Sequence, residues 1–254
     1  MMFDYLILLL VSFIANTFSA FVGGGAGLLQ LPVLLFLGLP FSVALATHKI
    51  ATIALGVGAT VRHLREHNLN LSFSLVILAS GLPGVILGAN IILLVPSNTA
   101  TLLLGILTIG LGLYSWLSSE FGQQVNIKHR SVTSYFIGSL VIFFIGILNG
   151  SLTSGTGLFV TLWLIHWFGL DYKSAVAYTL VLVGLFWNGS GALTLALQTE
   201  VQWDWLPVLL LGSLAGGYVG AHLSIVKSNK MIKRTFEIIT VLVGIKLIIS
   251  AWPV

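Results

Sequence analysis

One pattern occurs twice in this chain, about 130 residues apart: an apolar helix, a glycine-rich break, a short apolar segment, then Gly and an A-x-A step. The first copy runs from Asn16 and Thr17 through Gly23, Gly24, Gly25, Ala26, Gly27 and Leu28 to Gly38, Leu39, Ala44 and Ala46. The second runs from Asn149 and Gly150 through Thr153, Ser154, Gly155, Thr156, Gly157 and Leu158 to Gly169, Leu170, Ala175 and Ala177. The offset is 130 at Gly27/Gly157, 131 at Ala44/Ala175 and 132 at Gly84/Gly216 and Gly88/Gly220. So small a drift marks a duplication.

Composition decides the solvent in which the two copies fold. With 57% hydrophobic and 7% charged residues and a mean hydropathy of +1.06, the segments are apolar all round, beyond what a soluble domain can cover with polar surface. The reading is an all-α polytopic membrane protein with about ten hydrophobic segments, at 4–22, 27–38, 41–62, 71–94, 98–117, 133–150, 156–168, 173–197, 205–226 and 233–252. Residues 1–120 form a first membrane repeat, 121–132 a cytoplasmic linker and 133–254 a second repeat. The segment after each glycine break has about a dozen residues, ~18 Å of helix against a hydrocarbon core of ~30 Å. Each break is therefore expected near the midplane, in a glycine-broken or re-entrant hairpin. The chain has no cysteine, which removes disulfides and thiolate metal sites. The first twenty-two residues read as a retained helix rather than a cleaved signal, since they lack a basic leader.

Charge orients the halves. Placing basic turns on the cytoplasmic side puts Arg62, Arg65, Lys128, Arg130, Lys173, Lys227, Lys230, Lys233 and Arg234 inside, nine of the eleven Lys and Arg residues. That threading requires two inverted-topology repeats, the first starting outside and the second inside. Both glycine breaks then reach the midplane from opposite faces, where unwound backbone and helix N-termini can face an anion. Irregular backbone at that depth lines a cavity or is buried in protein. Gly23, Gly24, Gly25, Gly27, Asn149, Thr153, Ser154, Gly155, Thr156 and Gly157 are accordingly candidate substrate-binding residues, together with Asn16. The rival reading, close helix packing, suits Gly84-x-x-x-Gly88 and Gly216-x-x-x-Gly220 better.

The stretch from Gly23 through Pro32, then Gly38, Pro40, Ala44, Ala46, Thr47, His48-Lys49-Ile50 and the basic stretch near Arg62, resembles the first repeat of the sulfite exporter TauE/SafE family. Asn149 through Gly157 and on to Ala177 is similar to its second half. The resemblance covers essentially the whole chain. It implies a multi-pass transporter of the bacterial-type inner (plasma) membrane that moves small sulfur-containing anions, sulfite or organosulfonates, with the lipid bilayer as its other partner. No nucleic acid and no cofactor are implied, and a homo-oligomer is left open. Members often carry Asn at the position of His48 and Ser or Thr at that of Tyr178.

Lys49 is the most informative side chain. It lies nine positions into the 41–62 helix, where an ammonium is costly unless it faces water, a counter-charge or the bundle interior. Its repeat partner is Leu180, so one half supplies a charge that the other does not. The alternative is a lysine that snorkels along the helix to an interface or caps carbonyls in a structural role. Thr47, His48, Gln30 and Asn188 complete the candidate binding set, Gln30 and Asn188 as residues able to reach across helices, while a histidine beside a buried lysine is more often a hydrogen-bonded packing residue. His166 and His222 read as packing or interfacial residues, Lys246 as a snorkelling lysine, and Trp203, Trp205 and Trp252 as interface anchors.

The seven acids, Asp4, Glu66, Glu120, Asp171, Glu200, Asp204 and Glu237, fall at turns, ends or the first turns of the last helix, so no carboxylate proton relay is placed at mid-membrane. Export driven by a negative-inside potential needs none, at about 2.3 kcal/mol per charge per 100 mV. An intramembrane enzyme would have to use Ser154 or Ser190 with His48 or His166. The chain has no G-x-S-x-G and no acid near those positions to orient a base. No metal site is expected among the six histidines. A structural subunit of a membrane complex is the third class.

Overall fold

A bilayer offers no water to satisfy backbone N–H and C=O groups, so apolar runs of this length close their hydrogen bonds within themselves. All ten do so as helices in the computed structural model, which describes residues 2–24, 26–63, 69–117, 131–153, 155–226 and 229–251. The first half comprises α1 (Met2–Val22), a 3-10 turn (Ala26–Leu28), α2 (Gln30–Phe36), α3 (Phe41–His63), α4 (Leu71–Ile92) and α5 (Ser97–Leu117). The second opens with α6 (Val132–Ser151) and α7 (Thr156–His166). One long span follows, formed by α8 (Tyr172–Tyr178), a π-helical stretch (Thr179–Trp187) and α9 (Asn188–Ala196), and then α10 (Leu206–Val226) and α11 (Asn229–Ala251). Among the described residues, six helices are long and apolar enough to cross a membrane: Tyr5–Val22, Phe41–His63, Leu71–Ile92, Val132–Ser151, Tyr172–Ala196 and Trp203–Val226. The protein is a multi-pass helical membrane protein.

Local chemistry sets the helix starts. Asn70, Ser131 and Asp171 each accept a hydrogen bond from the backbone N–H three residues on, at 3.0, 3.2 and 2.9 Å, satisfying a donor that the first turn leaves free. Of the expected inner cations, Arg65, Lys128, Arg130 and Lys227 lie outside the described residues, as does the linker up to residue 130. Trp252 lies outside them too.

Small residues bring the helices together and fix their directions. Gly212 packs on Ser12, and Gly220 on Thr17 and Ala20, so α10 runs parallel to α1. Gly84 packs on Phe143 and Gly88 on Ile147, giving the parallel pair α4–α6. These glycines serve helix packing, as their spacing suggests. The bonds Gln202 N to Thr47 Oγ1 (2.9 Å) and Arg62 Nε to His222 Nδ1 (3.2 Å) set α10 parallel to α3. The α8–α9 span runs antiparallel to α3, with Gly56 against Gly184 and Lys49 against Gly191. It runs parallel to α4, through Asn70 N to Tyr178 OH (2.7 Å) and Gln198 Nε2 to Asn90 Oδ1 (3.0 Å). α5 and α11 oppose each other, with Gly105 on Ile248 and Gly244 on Ile109. Thus α1, α3 and α10 share one direction and α4, α6 and α8–α9 the other. Large apolar side chains such as Phe136, Leu193 and Leu211 stay exposed, on a surface that suits lipid.

Candidate functional site

The two glycine breaks meet. Gly23 and Gly24 end α1 with φ of +86° and +124°, a backbone that side chains rarely tolerate. A Cβ at Gly24 would lie 2.7 Å from the Cα and carbonyl carbon of Gly157, so backbone touches backbone between the halves. In the second break Thr153 has φ +56° and Gly155, which caps α7, φ +68°. Thr161 Oγ1 donates to the Gly23 carbonyl at 2.8 Å and lies 2.8 Å from Thr179 Oγ1, stitching α7, the first break and the π-helical stretch together.

A cavity of about 30 Å³ lies between these elements, space for about two waters. Its wall includes three pairs of residues that stand at the sequence offset noted above: Ser19 with Asn149, Gly27 with Gly157, His48 with Thr179. Their offsets are 130, 130 and 131. The partner of Asn149 is thus Ser19 rather than Asn16, which instead donates to Ser12 O at 2.7 Å and Ser213 Oγ at 3.0 Å on the α1–α10 side. Gly24, Thr153 and Asn188 also line the cavity.

Behind that wall sits Lys49, fully buried. Its Nζ donates to Asn149 Oδ1 at 3.1 Å, Thr153 Oγ1 at 3.3 Å and Asn188 Oδ1 at 3.5 Å. An ammonium has three donors, and here they meet three neutral oxygens, all on cavity-lining residues of the second half. Snorkelling is ruled out by this placement. Thr156 sets the geometry: its Oγ1 donates to Thr153 O at 2.7 Å and accepts from Asn149 Nδ2 at 2.9 Å, which turns Asn149 Oδ1 toward Lys49. The lysine stem fits because residue 191 is glycine; a Cβ there would come within 2.9 to 3.2 Å of Lys49 Cδ, Cε and Nζ.

On the other side of His48, Gln30 Oε1 lies 2.8 Å from His48 Nδ1 while its Nε2 donates to Ser12 Oγ at 2.9 Å. Of the sequence candidates, Gly24, Gly27, His48, Asn149, Thr153, Gly157 and Asn188 reach the cavity wall. Gly23, Gln30, Lys49 and Thr156 bond to or stand directly behind that wall. Thr47 lies elsewhere, tied to the α9–α10 turn through Gln202. Gly25 and Ser154 are outside the described residues. Ser19 and Thr179 escaped the sequence reading, although the constant offset applied to Asn149 and His48 points to both. Ser12 and Ser213 carry no such signal. Among the described residues no group of three or more His, Cys, Asp or Glu could hold a metal.

Comparison with known proteins identifies the family. The chain is 28% identical over 242 residues to a protein of Sinorhizobium named probable membrane transporter protein ORF9, covering 95% of this chain and 91% of that protein. It is 28% identical over 243 residues to a probable membrane transporter protein of Haemophilus influenzae, covering 95% and 93%. With the probable membrane transporter protein YunE of Bacillus subtilis it shares 24% over 268 residues, covering 96% and 97%. No solved structure matches the chain significantly. These relatives are named as transporters, not enzymes, and the family model described as sulfite exporter TauE/SafE matches residues 8–247. The chain therefore belongs to the TauE/SafE family of membrane transporters.

Proposed function

We propose that this transporter moves small sulfur-containing anions, sulfite or organosulfonates, out of a bacterial-type cell across the inner membrane, by alternating access between two inverted halves. The observation that carries the reading is the buried Lys49 ammonium held by three neutral oxygens. A cation whose protein ligands bring no negative charge is an electrostatic hole for an anion, and the low dielectric around it strengthens that attraction. The family description names sulfite export, and the amide and hydroxyl groups of the cavity wall, with the Lys49 charge behind them, match the oxygens of sulfite or a sulfonate.

Helix directions support the inverted arrangement. α1 and α3 run with α10, whereas their counterparts α6 and α8–α9 run with α4, the counterpart of α10, and α5 opposes α11. A cavity lined from both halves, with three pairs of residues at the repeat offset, suits a site at a repeat interface. At about 30 Å³ it is contracted, so loading requires the halves to part at the Gly24–Gly157 and Gly56–Gly184 contacts.

Flux from proteoliposomes at a clamped potential tests the proposal. Sulfite or thiosulfate loaded inside should leave faster when the lumen is negative, each net charge carried outward gaining about 2.3 kcal/mol per 100 mV. Absence of protein-dependent flux for every small sulfur anion tried would end the substrate assignment.

A further inference from the structure

We propose that His48 is a proton-binding site filled together with the anion, so that the transporter binds a proton and its substrate as a linked pair. This rests on the anion reading above and adds a second ligand to it. The starting point is a hydrogen-bond chain that runs in one direction with the Gln30 and Asn16 amides placed as the structure has them. Ser12 Oγ donates its one proton to the Leu209 carbonyl at 2.7 Å. Across the 3.1 Å contact between Ser12 and Ser213, Ser213 must then be the donor. With both hydroxyl protons used, the amides facing these oxygens have to present nitrogen. Gln30 Nε2 does so at 2.9 Å from Ser12 Oγ and 3.4 Å from Ser213 Oγ, and Asn16 Nδ2 at 3.3 and 3.0 Å. Gln30 Oε1 is thereby turned to His48 Nδ1, 2.8 Å away, and as an acceptor it requires Nδ1 to carry a hydrogen.

Every member of the chain is 0 or 1% exposed, so no solvent competes with this assignment. Nε2 is the ring nitrogen left to titrate, on a residue that lines the cavity. A neutral His48 would contribute a lone pair to a site built for negative charge. A protonated one would contribute a donor and a second positive charge. The neighbours decide when each form holds. Gln30 on α2, Ser19 on α1, Asn149 on α6 and Thr179 on the π-helical stretch are all neutral, with Ser213 of α10 behind Gln30. Lys49, next on α3, is the one charged or titratable neighbour among the described cavity residues and their bonded partners. In the empty cavity its ammonium opposes a second cation beside it. An anion between the two reverses the sign. Proton and anion affinity are therefore linked, each strengthening the other by the same factor. Two cationic groups for one anion also favour a dianion over a monoanion.

The test uses thiosulfate, a sulfur dianion that does not itself titrate near neutral pH, with purified full-length protein in detergent. Calorimetry in buffers of differing ionisation enthalpy should report roughly one proton taken up per thiosulfate bound, with affinity falling about tenfold per pH unit above neutrality. His48→Gln should bind more weakly with no uptake. Gln30→Glu, which places a carboxyl group against Nδ1, should bind with uptake largely lost because the proton is already held. Binding without uptake in the wild-type protein, or unchanged uptake in His48→Gln, would overturn the proton site and leave the anion reading standing. No binding of thiosulfate, sulfite or methanesulfonate would overturn both.

Discussion

At the scale of single residues, Lys49 departs furthest from what the bilayer permits, and three neutral oxygens hold it there. If its charge attracts the substrate, Lys49→Met, close in volume, should weaken binding of sulfite or a sulfonate about ten- to a hundredfold. That factor corresponds to about 1.4–2.7 kcal/mol of lost charge attraction. Lys49→Arg keeps the charge but brings a planar fork into a pocket shaped for three separate donors, so part of the affinity should survive. The concentration dependence of flux at fixed potential separates these variants, and wild-type affinity in the Met variant would remove Lys49 from the site. Gly191→Ala probes the same side chain without touching its charge. The added methyl would crowd Lys49 Cδ and Cε at 2.9 and 3.0 Å, displacing the ammonium, and should lower affinity while leaving the ion present.

At the scale of elements, the breaks matter because two of them share one contact. Gly24 and Gly38 both have positive φ, +124° and +92°. A Cβ at residue 24 meets Gly157 backbone at 2.7 Å, whereas one at residue 38 meets nothing within 4 Å. Gly24→Ala should therefore destabilise the protein by about 1–3 kcal/mol more than Gly38→Ala, the typical cost of overpacking, while the φ strain is common to both. Thermal unfolding in detergent measures the difference, and equal losses would deny the close approach. The breaks were legible in the sequence because Gly runs interrupt otherwise continuous apolar segments. Their partner across the bundle was not, since Gly24 and Gly157 are unequal positions in the repeat. The pairing of Asn149 with Ser19 was obscured by the asparagine three residues earlier, at position 16, which turns toward α10 instead. The π-helical stretch is equally hidden: Thr179–Trp187 is uniformly apolar, and nothing in such a run separates one helical hydrogen-bond register from another. Its widened turns nonetheless carry Thr179, Leu180, Val183 and Gly184 to the cavity wall, in keeping with π segments at functional sites.

At the scale of the whole molecule, charge and helix direction both support the proposed inversion. The bias of Lys and Arg toward one set of loops comes from composition alone. The relative directions of α1, α3, α4, α6, α8–α9 and α10 come from side-chain register. Both place the Asn70–Tyr178 and Arg62–His222 contacts on one face, with Lys173 Nζ on the Ile225 carbonyl at 2.9 Å beside them. Both place Asn90–Gln198 and Thr47–Gln202 on the other. The proposed inversion, with the basic face cytoplasmic, expects Ser97 and Gln198 outside and Ser131 and Lys173 inside. All four are exposed, and the chain contains no cysteine, so single cysteines introduced there report without background. A membrane-impermeant maleimide added to intact cells should modify positions 97 and 198 at once, and 131 and 173 only after permeabilisation. Labelling of 173 from the exterior together with 198 would place both ends of one 25-residue span on the same face. Neither inverted halves nor the directions of α3 and α10 could accommodate that result.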